Sequence, residues 1–228
     1  DVSVVIDQWR IVLGGVVGFM VVKAVGIYAV ARLFTHPDGS YRFARWRRPI
    51  VPVVFGVDDA TLTTFKGAVE AMVVLAGHRM AETDPEMGAN LFLFFCQEWQ
   101  ELLAVPDLEG LLPDLGPLVE RLTAEGAHHY RAFRFEADGA IRAAVSVLRI
   151  EGALADVPAE TLALNEMAHL ILLWAEGAFP QGPLALAGDH AVLRPEVAGV
   201  IRAAYDPVMP VAARDPSHAL RLAARVAV

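Results

Sequence analysis

The chain has 228 residues, 55% of them hydrophobic, enough to bury a sizeable core in one domain with extensions. A net charge of −8 argues against a nucleic-acid partner. Cys96 is the only cysteine, which excludes an intrachain disulfide and a cysteine-based metal cluster.

Ile11 to Ala31 is a run of 21 residues with a single charge, Lys23. As a helix it would extend about 32 Å, enough to cross a bilayer core. Trp9 and Arg10 stand where an interfacial anchor would stand, Arg32 closes the other end, and the residues between are apolar all round. The pattern predicts a membrane anchor helix over residues 1–35, with a buried soluble helix as the competing reading. A signal peptide fits less well, because the apolar run is too long and no basic segment precedes it. Lys23 near mid-bilayer would cost on the order of 3 kcal/mol, so it is expected to face other membrane-protein subunits or to snorkel. Asp1 to Phe34, with I-V-L-G-G-V-V-G-F-M-V-V-K-A-V-G at its centre, resembles one transmembrane helix of a Kef-type potassium/proton antiporter. The likeness covers a single helix of such a transporter, so it implies a recruited anchor or a fused fragment, not antiport.

His36 to Ser40 (H-P-D-G-S) is turn-rich and predicts a linker over 36–40, ahead of a domain over 41–228. Arg42, Arg45, Arg47 and Arg48 then interleave with Tyr41, Phe43 and Trp46, either as a lipid-headgroup contact or as a solvated approach to a strand. By the positive-inside rule this side of the membrane is cytoplasmic. Ile50 to Phe55 predicts a strand that Pro52 confines to an edge or a bulge. A helix follows, capped by Asp59 or Thr61, with Leu62, Phe65, Val69, Met72 and Ala76 on one face and Gly77 at its end. His78, just beyond, fits a C-terminal dipole partner better than a ligand. Asn90 to Cys96 predicts a buried strand, Gln97 to Leu103 a helical turn, Pro106 to Pro117 a loop, and Leu118 to Glu125 a short helix. His129 to Phe135 and Ile141 to Leu148 predict a hairpin around Asp138-Gly139, its second strand half-buried because Ser146 alternates with Val145 and Val147. His128 and His129, adjacent on a strand, point to opposite faces and cannot readily share a metal.

Pro158 to Gly177 (P-A-E-T-L-A-L-N-E-M-A-H-L-I-L-L-W-A-E-G) predicts the central helix, with Pro158 in its first turn and Gly177 just past its end. Asn165 and His169 lie four apart on one face with Glu166 beside them, the geometry of the zinc-binding H-E-x-x-H helix with asparagine in place of the first histidine. Pro180 to His190 predicts a loop, Pro195 to Tyr205 a helix stopped by Asp206-Pro207, and His218 to Val226 a final helix.

This order of elements predicts an α+β fold, a small mixed sheet with packed helices. It is also the order of zincin-type metallopeptidases. R-W-R-R-P-I-V-P-V-V-F (Arg45 to Phe55), Gly139 to Ile150, the central helix and Tyr205-Asp206-Pro207 resemble an uncharacterised family of secreted or lipid-anchored alphaproteobacterial zincin-like domains. The likeness spans about residues 41–211 and implies a periplasmic domain, in conflict with the cytoplasmic placement drawn from the arginines. The family's helix reads H-E-E-x-x-Q, where this chain has Asn165, Glu166, Met167 and His169. A family histidine nine residues before Tyr-Asp-Pro corresponds here to Glu196. The resemblance therefore implies Glu166 as general base and His169, Glu196 and Asn165 as metal positions, with neutral asparagine a feeble zinc ligand.

Three readings stand. The first is a membrane-anchored, degenerate zincin-like binding or scaffold module of the cell envelope, with no cofactor. The second is a zinc metallohydrolase using Glu166, His169, Glu196 and one of His128, His129 or His190. The third is a helix whose polar residues are satisfied in the core, with an arginine such as Arg142 or Arg202 beside Glu166.

Overall fold

The computed structural model describes residues 26–86 and 88–226. Residues 26–32 are helical (α1). The strands are β1 (Phe43–Ala44), β2 (Pro52–Phe55), β3 (Leu91–Cys96), β4 (His129–Phe135), β5 (Ile141–Arg149), β6 (Leu184–Ala187), β7 (His190–Leu193) and β8 (Ala212–Ala213). The other helices are α2 (Asp59–Ala76), α3 (Leu108–Leu111), α4 (Leu115–Ala124), α5 (Ala159–Leu170), α6 (Pro195–Ala204) and α7 (His218–Val226). The fold is mixed α+β, as the pattern predicts, and it is organised on one small mixed sheet of order β2-β3-β5-β4. β2, β3 and β5 run parallel, and β4 returns antiparallel along β5. Pro52, which cannot donate to a ladder, sits on the edge strand β2.

Both faces of the sheet are covered. Leu91 and Leu93 of β3 and Ala144 of β5 pack under α2, α5 and α6. The alternate residues, Phe94 and Cys96 with Val145 and Val147, pack against Trp99 and Leu102 of a 3₁₀ turn and against α3 and α4. β5 is therefore not half-buried: Ser146 has no exposed surface and points toward α5, so its polarity marks an internal site rather than a solvated face. Period-two polarity identifies a strand but cannot say whether water or a second layer meets the polar side.

Local chemistry sets the ends of α2. Asp58 caps the helix, its carboxylate accepting from the Thr61 amide at 2.7 Å, and Gly77 closes it in the left-handed region at φ 62°. His78 then donates from Nε2 to the Arg48 carbonyl at 2.7 Å, a half-buried structural bond. Between β2 and α2, Gly56 has φ 81° and lies so close to β3 that an added Cβ would clash with the Phe95 carbonyl oxygen. Gly56→Ala is expected to destabilise the protein by at least about 1–2 kcal/mol, read as a lowered melting temperature. An unchanged melting temperature would mean that this turn is not constrained.

The central helix is shorter than its sequence pattern. α5 stops at Leu170, and after Ile171 the chain leaves the helix and runs to a turn at 176–177. Three side chains supply the donors that the last carbonyls of a helix lack. Trp174 Nε1 donates to Ala168 O at 2.8 Å, Trp46 Nε1 to Leu170 O at 2.8 Å, and the Tyr205 hydroxyl to Ile171 O at 2.9 Å. The emerging strand finds its own partners, with Leu173 N donating to Ala44 O and Ala175 N to Leu33 O. Apolar periodicity could not signal this ending, because the terminating groups come from distant parts of the chain. The Pro180 to His190 segment is likewise not an open loop, since β6 and β7 form a hairpin there. α4 begins at Leu115 and α3 occupies part of the expected loop before it.

Near the N-terminus, Val30 and Phe34 are buried in the same core as α2 and α5, with Phe34 stacked on Trp174 at 5.2 Å. His36 to Ser40 forms a tight turn, and Tyr41, Phe43 and Trp46 point inward while Arg42 and Arg47 pair at the surface with Asp38 and Asp138. Among the described residues no helix is long and apolar enough to cross a membrane. Most of the expected span, Lys23 included, lies outside the described residues.

Candidate functional site

The hairpin register and the α5 periodicity together build a polar cluster inside the helix-covered face of the sheet. Arg131 on β4 lies directly across from Ser146 on β5, and His129 lies two residues earlier on the same face as Arg131. Glu166 projects from α5 onto this pair and is fully buried. Arg131 Nε donates to Glu166 Oε2 at 2.9 Å, and Arg131 Nη2 donates to Oε1. The Ser146 hydroxyl adds a bond to Oε2 at 2.9 Å, and His129 Nε2 lies 3.7 Å from Oε1.

Burial alone would raise the Glu166 pKa, but the Arg131 guanidinium, its hydrogen bonds and the two nearby histidines outweigh it and hold the carboxyl below its usual range. Burial lowers the pKa of both His129 and His169, with Arg131 adding repulsion, so both rings are neutral near neutral pH. His169 Nδ1 donates to the Asn165 carbonyl at 2.8 Å, and its ring meets the edge of Phe179 at 5.4 Å. That tautomer leaves the His169 Nε2 lone pair uncommitted by this bond.

The residues singled out by sequence are only partly brought together. Asn165, Glu166 and His169 share α5, and Glu196 is exposed in the first turn of α6. His190 is exposed at the start of β7. His128 and His129 diverge as strand geometry requires: His128 lies 3.7 Å from Glu151, whereas His129 faces Glu166. The arginine beside Glu166 is Arg131, not Arg142 or Arg202; Arg142 pairs instead with Glu86 at 2.9 Å. Arg131 and Ser146 escaped sequence reasoning because both sit on strands far from the helix in sequence. The one available signal was a serine inside the otherwise apolar run 143–148 of β5.

A carboxylate in this state is a poor general base. Both oxygens accept donors from Arg131, one accepts a third donor, and the depressed pKa favours leaving the proton on water. A zinc centre of the implied kind also does not fit, because among the described residues no group of three or more His, Cys, Asp or Glu side chains is placed to hold a metal ion. A separate cleft of about 680 Å³ opens beyond the carboxyl ends of β2, β3 and β5, and its lining includes neither Glu166 nor either histidine. No protein-family model, curated protein or solved structure matches this chain.

The short motifs quoted above do acquire a physical role. Trp46 from R-W-R-R-P and Tyr205 from Tyr-Asp-Pro meet at the end of α5, where each satisfies a terminal carbonyl. Arg45 lies over the Tyr205 ring at 5.2 Å. They hold the central helix against the sheet.

Proposed function

We propose that this protein is a binding or scaffold module rather than an enzyme, built on a degenerate zincin-like domain anchored in the membrane and facing the periplasm. The observation that carries this reading is the pairing of Glu166 with Arg131: the residue in the general-base position of the helix motif is instead a buried structural ion. Asn165 in a ligand position and the exposed Glu196 support the same conclusion. The charge-poor run Ile11 to Ala31 supports the anchor, and the family resemblance supports the periplasmic side. A hydrolase would need a metal and a free base, and the candidate base Glu166 is already committed to Arg131.

Metal analysis of the purified full chain tests the reading. Zinc is expected well below one equivalent. Zinc near one equivalent that is lost in His169→Ala would overturn it, as would hydrolysis abolished by Glu166→Gln with metal retained. The anchor is tested separately: the full chain is expected to need detergent, and a chain that is monodisperse without it would refute membrane anchoring.

A further inference from the structure

The cleft beyond the carboxyl ends of β2, β3 and β5 lies where open parallel sheets take their ligands. Its volume of about 680 Å³ suits a small molecule. One wall is apolar: Phe95, met edge-on by Phe65 at 4.9 Å, stands with Ile150 and Leu162. Two exposed carboxylates, Asp58 and Glu101, also line it. Asp58 accepts from the Thr61 amide at 2.7 Å, and Glu101 Oε1 accepts from the amides of Gln97 at 3.0 Å and Glu98 at 2.8 Å. These amides, at the starts of α2 and of the 3₁₀ turn, are the donors that an anion would otherwise take. The start of α5, by contrast, has no side-chain cap.

No lysine, arginine or histidine lines the cleft, and among the described residues neither Asp58 nor Glu101 forms an ion pair. Both carboxylates are therefore fixed in place by backbone donors and left without a cation. A metal ion does not match them, since a hard cation takes about six or more oxygens and no suitable group of three acidic or histidine side chains occurs among the described residues. We propose that the cleft binds a small aromatic amine, its ammonium group at Asp58 and Glu101 and its ring against Phe95 and Leu162. The carboxylates supply the charge complement, and the apolar wall selects a ligand with a ring over a bare polyamine. This inference rests on the reading of the protein as a binding module, and it puts the binding site apart from Glu166.

The test is titration calorimetry of the full chain in detergent buffer, with tryptamine as the probe, indole-3-propionate as its anionic counterpart, and a detergent-only titration subtracted. Tryptamine is expected to saturate at one equivalent with a Kd of about 1 mM or tighter, a modest demand for a ligand of its size. Indole-3-propionate should bind at least about tenfold more weakly. The double variant Asp58→Asn/Glu101→Gln keeps both capping groups and removes both charges. It should weaken tryptamine by about tenfold with little change in melting temperature. Tryptamine heats equal to the detergent blank overturn the proposal. So does an anion that binds as well as the amine, which would point to the uncapped start of α5 instead. If the double variant does not fold, Ala155→Trp, which sets a bulky ring in the lining from an exposed position, takes its place: lost binding supports the proposal and unchanged binding overturns it. Failure of the functional reading would look different, as zinc retained by wild type.

Discussion

Replacing Glu166 by alanine is expected to destabilise the protein by about 3 kcal/mol, the lower end of the range for breaking a buried ion pair. The cost comes less from the lost attraction than from what is left behind. Arg131 would lose both of its carboxylate partners while its side chain stays mostly covered, at 23% exposure, and the Ser146 hydroxyl would lose its acceptor in a fully buried position. The figure lies at the low end because β4 is an outer strand, so the guanidinium has a route to water. Urea unfolding of wild type, Glu166→Ala and a double Arg131→Met/Glu166→Met variant separates the terms. The double variant should be less destabilised than the sum of its single substitutions, because removing both charges leaves neither stranded. A neutral Glu166→Ala would show that the pair is not formed in the folded protein, and the case against Glu166 as a free base would fall with it.

The second large effect is a loss of stability on mild acidification, centred on His218. This histidine opens α7 yet is 1% exposed, lies against the Phe43 ring at 4.3 Å and bonds through Nδ1 to the Tyr41 hydroxyl at 2.8 Å. Its Nε2 is buried without a hydrogen-bond partner among the described residues. Burial, with repulsion from Arg221, pushes its pKa down to about 4. The sign follows from linkage. Above about pH 6.5 the ring is neutral in both folded and unfolded chains, and its contribution is fully present. Between about pH 6.5 and 4 the unfolded chain takes a proton that the folded one refuses, so stability falls as pH falls, by about 3 kcal/mol in all. Below about pH 4 both states are protonated and this loss levels off. His36, His78, His129 and His169 are shifted in the same direction, so the absolute curve is a sum. The difference between wild type and His218→Gln isolates the His218 contribution, since glutamine keeps a polar partner for Tyr41 and does not titrate. That difference should narrow or reverse by about 3 kcal/mol between pH 7.5 and 4. Parallel stability curves would show that His218 titrates alike in both states.

Much of the fold was legible in the chain because its signals are local. Pro52 marks an outer strand, Gly77 ends α2, whose cap is Asp58 and not the expected Asp59 or Thr61, and Asp138-Gly139 turns the β4–β5 hairpin. Each follows from a residue whose backbone preference or capping group acts within a few positions. The site was legible only in part. The α5 spacing identified Glu166 and His169 as unusual, and the rule that a buried carboxylate needs a cation predicted an arginine beside it. Which arginine it was lay beyond the pattern. Arg131, Arg142 and Arg202 are alike in charge, and the choice depends on strand register, which sets Arg131 opposite Ser146 under the helix.

The end of α5 shows the same division. Apolar residues run on from Ile171 to Ala175, and nothing within the segment stops a helix before Gly177. The helix stops at Leu170 because Trp46, Trp174 and Tyr205 reach its final carbonyls and because residues 33 and 44 offer backbone partners to the extended chain that follows. The chain by itself determined the types of the longer helices and strands and the presence of an isolated polar triplet on the central helix, but not that both faces of the sheet are covered. Only the tertiary structure decided that the triplet meets a guanidinium, because a charge's partner is chosen by distance in space and not by separation along the chain.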